Sequence, residues 1–166
     1  QCEDEISGCA TAIGASFAGA LAVTSTSGPG VCLKSEAMNL AVITELPLVV
    51  LDVQRGGPST GLPTKSEQTD LLQALFGRNG ESPMPVIAAA SPTGCFDAAY
   101  MACKIALEHM TPVVLLTDGF VANGSGARKL PKLADYPAIN PPYVTPEMKD
   151  NYTPYKRNPE TGVRYW

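Results

Sequence analysis

Histidine is nearly absent from this chain. There is one, His109, and no two of the five cysteines have CxxC spacing. That shortage removes the usual zinc and iron–sulfur ligand sets, so no metal site is expected in the chain. Basic runs are missing as well. Lys and Arg total 12 against 16 Asp and Glu, for a formal net charge of −4, which argues against nucleic acid as a partner. A phosphate loop is lacking: Gly56-Gly57-Pro58-Ser59-Thr60-Gly61 has no lysine before its hydroxyl residues. No GxGxxG follows a strand-like run, so the dinucleotide fingerprint is missing too. Ser59 and Thr60 have no evident base, and His109 falls at the end of a helical pattern. Nucleophile–base catalysis therefore has no support.

Charge itself is missing from residues 6–33, a stretch long enough to cross a bilayer. The stretch is rich in Gly, Ala, Ser and Thr and breaks at Ser27-Gly28-Pro29-Gly30, so no membrane partner is expected. Nothing resembles a signal peptide. The cysteines at 2, 9, 32, 95 and 103 lie in apolar helical patterns and read as reduced, buried residues of a cytoplasmic protein. The chain opens on Gln1, already inside a helical pattern, and closes on Arg164-Tyr165-Trp166, so it is expected to be a piece of a longer one.

What is present is a repeated unit of proline, apolar strand, polar loop and helix. A helix is expected over 3–21, with Glu3, Asp4 and Glu5 at the positive end of its dipole. Its many glycines and alanines imply a close neighbour, whether a helix, a sheet or a ligand. A short strand follows over 22–26, then a turn at Ser27-Gly28-Pro29-Gly30 and a helix over 31–43. Residues 48–53 form an apolar strand that runs into Arg55 and a loop with three glycines. Thr64-Lys65-Ser66-Glu67 has capping-box spacing and predicts a helix over 66–76. Strands over 86–90 and 113–117 flank a helix over 93–109. Strands apolar throughout are buried on both faces. The fold class is therefore three-layer α/β/α with a mainly parallel sheet, occupying residues 1–121.

Residues 122–166 differ. The last 36 positions hold seven of the 15 prolines, five of the six tyrosines and the only tryptophan, with no periodicity. They read as an arm lying on another surface, such as a partner subunit, or as a linker to a further domain.

Taken alone, two residues are candidates for chemistry. Arg55 at a strand end beside a glycine loop suits an anion, with a structural salt bridge as the alternative. Glu5 serves either the helix dipole or a ligand.

Five blocks carry a family resemblance: Glu3-Asp4-Glu5-Ile6-Ser7, Ile13-Gly14-Ala15-Ser16, Thr24-Ser25-Thr26-Ser27-Gly28-Pro29-Gly30, Val53-Gln54-Arg55-Gly56-Gly57-Pro58-Ser59-Thr60-Gly61 and Thr117-Asp118-Gly119. In order and spacing they resemble the alpha subunit of 2-oxoacid:ferredoxin oxidoreductases, with the nearest likeness to the 2-oxoglutarate type. The resemblance implies a thiamine-diphosphate-binding fold that grips the aminopyrimidine half of the cofactor. It implies that a beta subunit or another segment holds the diphosphate, its Mg²⁺ and an iron–sulfur cluster. Glu5 matches the family glutamate that hydrogen-bonds the pyrimidine N1′, making it the catalytic and cofactor-binding residue. Ser27, Gly28 and Pro29 match positions lining the cofactor pocket, and Arg55 matches the arginine that pairs with the 2-oxo acid carboxylate. The implied activity is oxidative decarboxylation of 2-oxoglutarate to succinyl-CoA, using coenzyme A and ferredoxin. A pyruvate or branched 2-oxoacid enzyme stays open, as does a non-catalytic assembly subunit with the same fold. The family's upstream Pro-x-Thr-Pro loop has no counterpart in this sequence, so the chain alone is expected to be inactive.

Overall fold

Side chains alternate across a strand, so an apolar run can serve two cores. Leu48 and Val50 on β2 (Leu48–Gln54) enter one cluster, while Val49 and Leu51 enter another. β4 (Pro112–Asp118), buried along its whole length, divides the same way: Val114 and Leu116 to the first cluster, Val113 and Leu115 to the second. The computed structural model describes all residues, Gln1–Trp166. It forms one four-stranded sheet, wholly parallel, in the order β1 (Val23–Thr26), β2, β4, β3 (Val86–Ala88). Helices α1 (Glu5–Phe17), α2 (Gly28–Leu33), α3 (Ser35–Ile43) and α4 (Leu71–Phe76) supply Cys9, Ile13, Val31, Met38 and Ala74 to the first cluster. Helix α5 (Cys95–His109) places Ala102 and Ala106 in the second. The expected three-layer α/β/α arrangement is present. No helix is long and apolar enough to cross a membrane.

Several boundaries move, each for a local reason. α1 starts at Glu5 because Asp4 caps it: the Asp4 carboxylate accepts from the Ser7 N–H at 2.7 Å. It stops at Phe17, since Gly19 adopts φ 91°, a left-handed conformation that ends helices. The predicted helix over 31–43 is two helices. Its first turn begins at Gly28, where Pro29 is tolerated near the N-terminus, so the expected turn at Ser27-Gly28-Pro29-Gly30 is the start of α2. Lys34, at φ −91° and ψ 7°, separates α2 from α3. The predicted helix over 66–76 shrinks to α4, and Thr64-Lys65-Ser66-Glu67 forms no capping box. The Glu67 carboxylate instead accepts from the Gly57 N–H at 2.8 Å, and the Lys65 carbonyl accepts from the Gly56 N–H at 2.8 Å. These bonds fold the loop back on itself and keep 65–70 out of the helix. The cysteine expectation also needs correction: all five are free, but only Cys9 is buried, and Cys2 and Cys32 are exposed.

A short helix, α6 (Gly119–Asn123), follows β4. Beyond it the arm returns to the surface of its own domain. Tyr136 packs edge-on against Phe96 and Tyr100 of α5 at 5.1 and 5.0 Å, and Arg128 pairs with Asp97 at 2.9 Å. Trp166 stacks on Tyr143 at 5.2 Å and donates from Nε1 to the Ser16 carbonyl at 3.0 Å. Arg164 donates to the Thr44 carbonyl at 3.1 Å, and Arg157 pairs with Glu45.

Candidate functional site

In an open parallel sheet the carboxyl ends of the strands face a crevice where ligands bind. Here Ser25, Thr26 and Ser27 come from the end of β1, Val53, Gln54 and Arg55 from β2, and Gly119 from the residue after β4. Together with Glu5 they line a cleft of about 370 Å³. Asp4 already caps α1, so Glu5, the first helical residue, is not needed for that task. It is half-buried and takes part in none of the ion pairs, which join Lys104–Glu108, Arg128–Asp97 and Arg157–Glu45.

Arg55 is also half-buried. One of its terminal nitrogens donates to the Thr60 carbonyl at 3.0 Å, and its Nε is buried without a partner. No carboxylate pairs with it, so the salt-bridge alternative is not what the structure contains. Arg55 lines both the first cleft and a second of about 650 Å³, which Gly28, Pro29, Cys32, Ser59, Asp70 and Gln73 also help to line. The structure thus brings Glu5, Ser27 and Arg55 together. It places Gly28 and Pro29 in the second cleft, which shares Arg55 with the first.

The first turn of α2 is wedged tightly between these clefts. A Cβ at Gly30 would lie 1.8 Å from Thr26 Oγ1 and 2.8 Å from Glu5 Cγ. One at Gly28 would lie 2.5 Å from Asp70 Oδ2. A methyl at either place would force its neighbours to shift, and this close approach, rather than backbone freedom, accounts for the glycines. The small residues of α1 behave differently: nothing lies within 4 Å of a Cβ at Gly14. Within this chain, Gly14 has no close neighbour to explain it.

Below the clefts lies a buried polar group that motif reading does not identify. Asp52 is fully buried, and neither of its oxygens accepts a bond from a protein donor. In register it stands beside Thr26, on the face that carries Leu48 and Val50. Burial first, and the neighbouring Asp70 second, push its carboxyl up to about 7, against a weaker opposing pull from Lys34. Lys34 is itself 1% exposed and donates from Nζ to Thr24 Oγ1 at 3.1 Å; burial pulls its pKa down. The one signal available in sequence was a lone aspartate inside an apolar strand. Nearby, Asp118 is held below the usual carboxylate range by the Gln68 amide, which donates at 2.6 Å, and then by the backbone N–H of Val121. No three His, Cys, Asp or Glu side chains converge as a metal-binding group.

The chain is similar to known proteins. The chain is 57% identical over 164 residues to the 2-oxoglutarate oxidoreductase subunit KorA of Mycobacterium tuberculosis, covering 99% of this chain and 25% of that one. It is 45% identical over 135 residues to the 2-oxoglutarate synthase subunit KorA of Archaeoglobus fulgidus, covering 81% and 39%. Its fold matches a solved 2-oxoglutarate:ferredoxin oxidoreductase from Magnetococcus marinus with 2-oxoglutarate, coenzyme A and succinyl-CoA bound. That match has a TM-score of 0.92 and 38% identity, over 100% of this chain and 29% of the other. The chain therefore spans well under half the length of these relatives. Residues 1–164 match the family described as pyruvate flavodoxin/ferredoxin oxidoreductase, thiamine diP-bdg, and the chain belongs to that family.

Proposed function

We propose that this chain is the pyrimidine-side domain of the alpha subunit of a 2-oxoglutarate:ferredoxin oxidoreductase. The reaction is oxidative decarboxylation: 2-oxoglutarate and coenzyme A give succinyl-CoA, CO₂ and a proton, while two electrons pass to ferredoxin. One observation carries the reading. Glu5 and Arg55, 50 positions apart, line one cleft at the strand ends, and neither is tied up in an ion pair.

The residues present fit thiamine diphosphate. The Glu5 carboxylate, not needed as a cap, lines a cleft with hydroxyls from Ser25, Thr26 and Ser27, beside a helix turn whose glycines leave no space for side chains. When bound, the cofactor supplies the carbon nucleophile that makes loss of CO₂ from a 2-oxo acid possible. Glu5 would hold the proton shared with the pyrimidine N1′. Ser27, with Gly28 and Pro29, would shape the wall against the ring. Arg55 would pair with a carboxylate of the oxo acid through a charge-assisted, two-pronged contact. The diphosphate, Mg²⁺ and the iron–sulfur cluster belong, in this reading, to the beta subunit of a cytoplasmic complex. Residues 1–121 form the cofactor domain, and 122–166 lead as an arm towards a following domain.

The purified complete complex tests this. Dye reduction should depend on 2-oxoglutarate and coenzyme A together, and should be much slower with pyruvate or a branched 2-oxo acid. Equal rates with pyruvate would reassign the substrate. No oxo-acid-dependent reduction at all would favour an assembly role.

A further inference from the structure

We propose that Asp52 and Asp70 share one proton and, as a single pair, position the first turn of α2 and the start of α4 around the Arg55 side of the cleft. The proposal rests on the oxo-acid reading of that cleft.

The geometry begins with an imbalance. Asp52 is fully buried and no protein donor reaches it; Asp70 Oδ2 is likewise buried and unpartnered. Asp70 lies at the same end of β2: its N–H bonds Gln54, two residues along the strand from Asp52, and its carboxyl lies against Gly28, so the two buried acids act on each other. Two carboxylates can hydrogen-bond only if one carries a proton, and like charges in a buried place resist ionising together. Lys34 does not replace that proton. It is buried at the C-terminal end of α2, donates to Thr24 Oγ1, and forms no ion pair with Asp52. The charged and titratable groups facing the pair are Lys34 and, from the segment before α4, Glu67. Glu5 and Cys9, both on α1, act on Lys34.

The pair also explains the backbone around it. Asp70 occupies the cap position of α4, yet its carboxylate makes no capping bond and lies against Gly28 instead. Its N–H donates to Gln54 Oε1 at 3.0 Å, and Gln54 Nε2 donates to the Thr117 carbonyl at 3.1 Å. Segment 65–70 is thereby pinned across the ends of β2 and β4. Gly28 rests on the Asp70 carboxyl with no space for a Cβ, while Gly30 rests on Glu5 and Thr26. The first turn of α2 is thus held between the acid pair on one side and Glu5 on the other. Asp70, Gly28 and Arg55 line the same 650 Å³ cleft. Ionising both acids drives Asp70, the less buried partner, away from Asp52 and releases that seat.

Two measurements on the complete complex test this. Infrared difference spectra should show a protonated-carboxyl C=O band that persists at about pH 6, disappears as pH rises past about 7 and is missing in Asp52→Asn. If the seated state is the protonated one, its fraction falls from about 0.9 at pH 6 to about 0.1 at pH 8. The KM for 2-oxoglutarate then rises about tenfold, with a smaller change in kcat. Asp52→Asn, in which an amide N–H replaces the shared proton, should flatten that rise to less than about twofold. Asp70→Asn, at the partly exposed partner, gives the same test should the first variant fail to assemble. No such band in the wild type overturns the shared proton. An alkaline KM rise kept unchanged in either variant overturns the positioning role. A complex that shows the band but reduces no dye with any 2-oxo acid contradicts the activity reading and, with it, the positioning role, while the shared proton stands.

Discussion

Replacing Gly30 with alanine should break the site without altering the chemical identity of any group that performs chemistry. The new methyl would lie 1.8 Å from Thr26 Oγ1, about 1.2 Å short of the closest approach that real side chains make. Rotating Thr26 does not relieve this, since a β-branched side chain swings its methyl towards the space its hydroxyl leaves. Glu5 Cγ at 2.8 Å and Thr26 Cβ at 3.1 Å would still crowd the methyl. The first turn of α2 must therefore lift away from β1. Overpacking of this kind costs about 1–3 kcal/mol, offset by up to about 1 kcal/mol of gained helix propensity. A net loss of about 1–2 kcal/mol is expected in urea unfolding of the 166-residue chain. The matched control is Gly14→Ala. Nothing lies within 4 Å of its added methyl, so the same unfolding experiment should show a gain of about 0.5–1 kcal/mol. Gly30→Ala as stable as the wild type would refute the wedged-turn reasoning. In the complete complex, a Gly14→Ala that weakens assembly would identify the close neighbour that this chain lacks.

Three further outcomes follow from the same geometry. Arg55→Ala should raise KM for the oxo acid about tenfold or more while leaving that for coenzyme A near normal, as steady-state kinetics would show; equal effects on both would rule out carboxylate pairing. Asp52 is held at about 7 against its ordinary 3.8, so it is more protonated folded than unfolded. Its stabilisation is full below about pH 4 and lost as pH rises through about 7, so the stability of Asp52→Asn relative to the wild type should rise between about pH 4 and about pH 8. Parallel urea profiles for the two chains would contradict that. Trp166→Ala removes the stack on Tyr143 and the bond to the Ser16 carbonyl; a loss of about 2 kcal/mol and faster proteolysis within 142–166 should follow.

The sheet was legible because its strands are apolar on both faces: β2 and β4 lie within a residue of their expected limits. Helix limits were less so. Capping-box spacing at Thr64 and Glu67 misled, since Glu67 binds the Gly57 N–H, a contact set by the folded loop rather than by local sequence. Ser27-Gly28-Pro29-Gly30 reads as a turn from composition, but its glycines are there for close packing against Asp70, Thr26 and Glu5, which only the assembled layers create. Glu5 and Arg55 were identifiable through family motifs; nothing in periodicity alone separates Glu5 from its neighbours Glu3 and Asp4. The Asp52–Asp70–Lys34 group was hidden, because residues 52, 70 and 34 meet only after three elements have packed. The arm's tyrosines and tryptophan were visible, but their docking on α1 and α5 of the same chain was not.

In the proposed function Glu5 shares a proton with the cofactor at the cleft it forms with Arg55. The most direct measurement is turnover of the complete complex carrying Glu5→Gln, which keeps the size of the side chain and removes its carboxylate. The variant complex should assemble normally and lose nearly all 2-oxoglutarate-dependent dye reduction, a fall of about a hundredfold or more. Turnover close to the wild type, in a complex that assembles normally, would contradict this.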